Sequence, residues 1–153
     1  MRVDFDNSGF NIIKEALKDS YKTRVGLLGS DGSKDRDGLT NAEIGRIHEF
    51  GSITRNIPRR SWLRKPLEDH LMSWVKSHTE EYKQCMEKGD LKKWYSMLGI
   101  EAERIIGEAF ESGYDWKPLS PITIARKKGS DKILIDTSEL RRSVSSKVLG
   151  AKE

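Results

Sequence analysis

Asp90-Leu91-Lys92-Lys93-Trp94-Tyr95-Ser96-Met97-Leu98-Gly99-Ile100-Glu101-Ala102-Glu103-Arg104-Ile105-Ile106-Gly107-Glu108-Ala109-Phe110-Glu111-Ser112-Gly113 is the stretch on which the fold turns. Leu91, Trp94, Tyr95, Leu98, Ala102, Ile105, Ile106, Ala109 and Phe110 recur at steps of three and four, the period of one helix face. Asp90 is placed to cap that helix and Gly113 to end it. Upstream, Pro66 suits the first turn of another long helix. Its apolar stripe runs through Leu67, Leu71, Trp74, Val75, His78, Tyr82, Cys85 and Met86, and Gly89 stops it. Two long helices joined by a tight turn form an αα-hairpin, which supplies most of the core.

The flanks add short strands and short helices. Val3 and Phe5 alternate with polar residues and predict a first short strand, followed by a helix of about three turns through Phe10, Ile13, Leu17 and Tyr21. Arg24 to Leu28 reads as a strand. Residues 29–38 are polar with three glycines, a composition that predicts a flexible exposed loop. Thr40 and Glu43 make a capping box for a short helix with Ile44, Ile47 and Phe50 on its buried side. Gly51 suits its left-handed end. Residues 51–65 read as a second flexible, basic loop. Ser120 and Pro121 open a helix to about Lys128, and a Gly129-Ser130-Asp131 turn follows. Leu134-Ile135 is apolar. Asp136 or Thr137 then caps a turn through Arg142, and Val144, Ser146 and Val148 alternate in a last strand. The expected fold is a single α+β domain over 1–153. It has a small mixed or antiparallel sheet, a long helical hairpin and short capping helices.

Composition narrows the function classes. The chain has 153 residues, 35% hydrophobic and 34% charged, so its core is small for its surface unless more is buried on assembly. A net charge of +4, from 28 basic and 24 acidic side chains, is weak for a dedicated DNA-binding domain. Cys85 is the only cysteine, so no intrachain disulfide and no Cys-rich zinc site can form. No signal-like N-terminus is present, and no apolar run approaches the roughly 20 residues that span a bilayer. These features predict a soluble protein of the cytosol.

Catalytic patterns fail on spacing. His48-Glu49 lacks the second histidine that a zinc-protease helix needs four residues on, because position 52 is Ser52. His70 and His78 are too far apart on one helix to share an ion. No Gly-x-Ser-x-Gly elbow and no P-loop lysine occurs. No cofactor, metal or enzymatic site is expected. The basic segment is different. Arg55, Arg59, Arg60, Arg64 and Lys65, interrupted by Trp62 and Leu63, face either phosphate or the acids of an adjacent subunit. Trp116, Pro118 and Pro121 form a rigid aromatic stretch ahead of Arg126, Lys127 and Lys128. Arg55, Arg59, Arg60, Trp62, Arg64, Lys65, Trp116, Arg126, Lys127 and Lys128 are the candidate interface or DNA-facing set.

Two motifs in order carry a resemblance. The first is Ile47-His48-Glu49-Phe50-Gly51, then Ile57-Pro58-Arg59-Arg60-Ser61-Trp62-Leu63. The second is Trp116, Pro118, Leu119, Thr123, Ile124 and Lys127, then Leu134, Asp136, Thr137, Leu140 and Ser143. Together they resemble the virion morphogenesis, or tail-completion, family of tailed bacteriophages, which includes the Mu-like morphogenesis proteins and is similar to siphophage neck proteins. Ser138 departs from the family, where glycine is usual. The match spans roughly residues 40–148. The resemblance implies a non-enzymatic protein of phage or prophage that completes the tail or the head–tail joint. It implies a homo-oligomeric ring, usually sixfold, with double-stranded DNA passing through the lumen and head-connector and tail-tube or tail-terminator proteins as neighbours. The implied location is the host cytoplasm during assembly, then the virion neck or tail. The residues left one other class open, a nucleic-acid-binding module using Arg55 to Lys65. An unrecognised hydrolase around His48 and Glu49 needs a metal or nucleophile beside both.

Overall fold

A computed structural model describes residues 11–15, 20–32, 35–36, 38–126 and 139–150. The expected helical hairpin forms. The last helix of the pair, α5 (Leu91–Ser112), is capped by the Asp90 carboxylate, which accepts from the Lys93 N–H at 3.2 Å, and ends at Gly113 in the left-handed conformation. Before it come α3 (Arg64–Ser77) and α4 (Thr79–Glu87). The turn between α4 and α5 is a Schellman motif: Gly89 N–H donates to Met86 O and Asp90 N–H to Cys85 O. Gly89 supplies the required positive φ of 70°.

One long helix was expected where α3 and α4 stand. The chain breaks it at His78, with φ −111° and ψ 29°. At the break three consecutive side chains bond to carbonyls of the preceding turn. Ser77 Oγ donates to Trp74 O, His78 Nδ1 lies 2.9 Å from the same oxygen, and Thr79 Oγ1 donates to Lys76 O. Trp74 O also keeps the bond from the His78 N–H at 3.1 Å, so these side chains share the last carbonyls of α3 with the backbone. The His78 ring then stacks on Trp74 at 4.3 Å, and Trp74 on Trp94 at 5.4 Å, so the apolar stripe survives the break. The helix also begins two residues before Pro66, which still lies in the first turn, where its missing N–H costs nothing.

Strand β1 (Lys22–Leu27) pairs antiparallel with β4 (Val144–Leu149), Lys22 opposite Leu149 and Leu27 opposite Val144. This ribbon lies across α5. Thr23 Oγ1 donates to Tyr95 O at 2.7 Å, and Gly99 lets the helix approach Ser146 and Thr23. The fold is α+β, and among the described residues the sheets are small and antiparallel. The deepest core gathers Trp62, Ile106, Ala109, Phe110, Trp116 and Leu140 at the C-terminal end of α5.

Residues 29–38, expected as a loop, carry structure. A helical turn α1 (Gly29–Gly32) folds back so that Gly32 is buried against the Leu27 backbone, where a Cβ would meet Leu27 O at 2.6 Å. Strands β2 (Asp35–Arg36) and β3 (Leu39–Thr40) then form a two-residue ladder into α2 (Asn41–Phe50). Local composition does not display the tight glycine contact that anchors the turn. Two short helices, α6 (Pro121–Arg126) and α7 (Glu139–Arg142), complete the chain. Residues 11–15 are helical, but Tyr21 leaves that helix and its ring lies 5.9 Å from Tyr95. The expected strand at Val3 and Phe5, the 129–131 turn, Leu134-Ile135 and the Asp136 or Thr137 cap lie outside the described residues.

Candidate assembly surface

Helix α2 is the platform of the site. Its capping box is complete: the Thr40 hydroxyl accepts from Glu43 N–H, and the Glu43 carboxylate accepts from Thr40 N–H at 2.8 Å. These bonds hold the Glu43 carboxyl below the usual carboxylate range. The buried face is not the expected one. Asn41, Gly45 and Glu49, spaced four apart, face inward, while Phe50 is 67% exposed. Gly51 also differs from a left-handed helix end: φ is 76° but ψ is 175°. A Cβ there would meet Arg59 N at 2.9 Å, so the position requires glycine for two reasons.

The polar face is buried because the following segment supplies its partners. Glu49 accepts from Ser61 Oγ at 2.6 Å, Leu63 N–H at 3.0 Å and Arg64 N–H at 3.4 Å. It thereby caps α3 from outside, since Leu63 at the N-cap has no capping side chain. Gly45 O accepts from the Trp62 indole at 2.8 Å, and Asn41 Nδ2 donates to Ser143 Oγ at 3.2 Å.

This packing corrects several expected outward residues. Trp62 is 3% exposed; its ring lies 5.7 Å from Phe110 and its indole N–H is spent on α2. Arg60 turns inward. Its Nε donates to Lys117 O at 3.1 Å and its Nη2 to Pro118 O at 3.4 Å. Burial lowers its pKa from the ordinary arginine value. Trp116 is buried too, donating to Ser61 O at 3.1 Å and meeting Phe110 edge-on. The two motif segments therefore hold each other, and the 51–65 stretch is pinned rather than a free loop. Arg60, Trp62 and Trp116 face the interior because their donors and rings fill it.

Arg55, Arg59, Arg64 and Lys65 remain exposed. Arg64 pairs with Glu68 at 3.2 Å and Lys65 with Asp69 at 2.5 Å, both across one turn of α3. Arg126 closes α6, with its side chain outside the described residues, as are Lys127 and Lys128. The chain after Gly51 makes a small finger, closed by reciprocal bonds between Ser52 and Ile57, with Ile53 fully exposed at its tip. Beside Phe50 opens an apolar groove of about 580 Å³ between α2, β1 and the start of α3, walled by Val25, Leu27, Ala42, Leu63 and Leu67. Arg46 stands on its rim. Sequence periodicity missed Phe50, Ile53 and Arg46, because it assigned the isoleucines and Phe50 of α2 to the core. The Asn41, Gly45, Glu49 spacing was the available signal.

Both Glu49 oxygens are engaged by the capping contacts, Cys85 is buried, and His78 is bound to Trp74. Among the described residues no group of His, Cys, Asp and Glu is arranged to hold a metal ion. No helix among them is long and apolar enough to cross a membrane. Comparison with protein-family models, with curated proteins and with solved structures finds no match to this chain.

Proposed function

We propose that this chain is a non-enzymatic structural subunit of phage or prophage virion morphogenesis, completing the tail or the head–tail joint as a homo-oligomeric ring. One observation carries most of the weight. The two motif segments are spent inward on one another, through Arg60 on Lys117 O and Pro118 O and Trp116 on Ser61 O. Motifs used that way maintain a scaffold. What the scaffold presents outward is apolar and basic: Phe50, Ile53 and the groove, with Arg46 on its rim and exposed Arg55 and Arg59 on the segment after α2. Exposed apolar surface of this kind suits burial against a protein neighbour. A sixfold ring, double-stranded DNA in the lumen, and head-connector and tail-tube or tail-terminator neighbours belong to this reading. So does a path from host cytoplasm to virion.

The second reading, nucleic-acid binding through Arg55 to Lys65, rests on the unpaired Arg55 and Arg59. With Arg46 they give three exposed cations that make no ion pair among the described residues, which account for a salt slope of about −3. A dedicated duplex-binding site is usually steeper. Deleting the gene from the phage that encodes it tests the proposal. Separate full heads and tails in electron micrographs, restored to joined virions by the gene in trans, are expected. Normal infectious yield without the protein overturns it.

A further inference from the structure

Two unmatched surfaces of opposite character lie on different parts of the molecule. The first is the basic–apolar face of α2 and the finger, where Phe50, 67% exposed, borders the open groove and Ile53 is 100% exposed at the finger tip. Arg46, Arg55 and Arg59 make no ion pair among the described residues. Glu43, whose carboxyl the Thr40 bonds lower first and Arg46 and Arg55 help to lower, offsets one of these three charges and leaves the face net positive. The second surface is the outer ridge of α5. Ile100, Glu103, Gly107 and Glu111 follow at helical steps along one side. Ile100 is 66% exposed, and a depression of about 300 Å³ opens over Gly107. Glu103, Glu108 and Glu111 line it with Arg104 and Arg141, which pair with Glu108 and Glu111, so Glu103 carries the charge that no ion pair among the described residues offsets. Each surface thus sets an exposed isoleucine beside net charge, positive on one and negative on the other.

We propose that copies of this chain associate head to tail, the α5 ridge of one copy seating Ile100 in the groove beside Phe50 of the next. Glu103 then meets the positive charge of Arg46 on the groove rim and of Arg55 and Arg59 along the segment that follows α2. This rests on the ring-subunit reading and names the contact that would build the ring. The two faces share no residue, so the contact is heterologous, and such contacts propagate until rotation closes them into a ring. Opposite charges fix the register, and the apolar seat supplies the adhesion. A dimer with two identical faces would instead bring the three arginines of each copy together.

Sedimentation velocity on the full chain tests this with two double variants, Arg55→Glu/Arg59→Glu and Ile100→Asp/Glu103→Arg. Arg55, Arg59 and Ile100 are exposed and Glu103 is half-buried, and circular dichroism melts confirm that each variant folds. Wild-type protein is expected to form species larger than dimers as concentration rises, and to lose them with added salt. Each variant alone stays monomeric, its association weakened by on the order of a hundredfold or more. Mixed in equal amounts, the variants stop at a heterodimer, because only one competent pair of faces remains. Wild-type protein that stays monomeric, variants that assemble like wild type, or a mixture that stays monomeric each overturn the proposal. Variants that assemble normally, together with failed head–tail joining in the deletion, sink this contact and leave the ring reading standing. Joined virions without the protein sink the ring reading whatever the sedimentation shows.

Discussion

At the scale of single residues, Glu49 holds the most. Its side chain replaces the missing cap of α3 and ties α2 to the segment that carries Trp62. Hydrogen bonds to a buried carboxylate are worth more than neutral ones, so Glu49→Ala is expected to cost about 2–3 kcal/mol. Glu49→Gln keeps the shape and should cost roughly half that. Urea unfolding, with a lower midpoint and an unchanged slope, is the measurement. Asp69 makes a second case, on the solvent side. Lys65 first and Tyr114 second hold its carboxyl below the usual range. Burial first, and then the Asp69 bond, push the Tyr114 hydroxyl up to about 12. A carboxyl lowered by folding stabilises above its unfolded pKa of about 4 and loses that contribution as pH falls through its folded value. Asp69→Asn should therefore lower Tm at neutral pH, and the gap from wild type should close in strong acid. An equal gap at both ends of the titration excludes this clasp. Neither role was legible locally. Glu49 finds its partners 12 to 15 positions away, and Tyr114 meets Asp69 across 45. The sequence showed only that Glu49 lacked a catalytic companion.

At the scale of elements, the helices were legible wherever caps and periodicity agreed. Thr40 with Glu43, Asp90, Gly89 and Gly113 all serve as read, because each acts on backbone within a few residues. The break at His78 was not legible, since the apolar stripe runs through it without a change of period. How close α5 comes to the ribbon also escaped notice, though glycine marks it. A Cβ at Gly99 would lie 2.5 Å from Ser146 Oγ and 3.2 Å from Thr23 Cγ2, both fixed in paired strands. At Gly107 the nearest atom is 3.9 Å away, on the Arg141 side chain. The same substitution should thus act in opposite directions on one helix. Gly107→Ala gains helix propensity and should stabilise by up to about 1 kcal/mol. Gly99→Ala gains the same propensity but forces helix and ribbon apart, an overpacking cost of about 1–3 kcal/mol, for a net loss of about 1 kcal/mol. Thermal melts of both variants at one dilute concentration decide it. Equal stabilisation by both excludes close packing at Gly99.

At the scale of the whole molecule, long-range pairing was the part the sequence withheld. Nothing local says that β1 pairs with a strand some 120 positions later, or that Arg60 grips the chain at Lys117. Pairing across such distances follows from the burial of α5, which both ends of the chain must cover. The result is two packing centres along one helix. The first, around Phe110, Ile106, Trp62 and Trp116, is buried to a few per cent and reinforced by indole and guanidinium bonds. The second, where Trp74 and Tyr82 meet Trp94, is only half covered on the α3 and α4 side. α4 is short and begins at a break. Opening the second centre exposes less apolar surface and severs fewer long-range bonds, so it should open first. In native-state hydrogen exchange, amides of Ile105 to Phe110 should exchange only through global unfolding. Amides of Tyr82 to Glu87 should exchange through a smaller opening, with a shallower dependence on denaturant. If α4 and the C-terminal half of α5 merge into one isotherm across the whole denaturant range, the two centres are one cooperative unit. The end that bears Phe50, the groove and the finger would then owe its rigidity to the entire hairpin rather than to the Glu49 and Trp62 cluster beneath it.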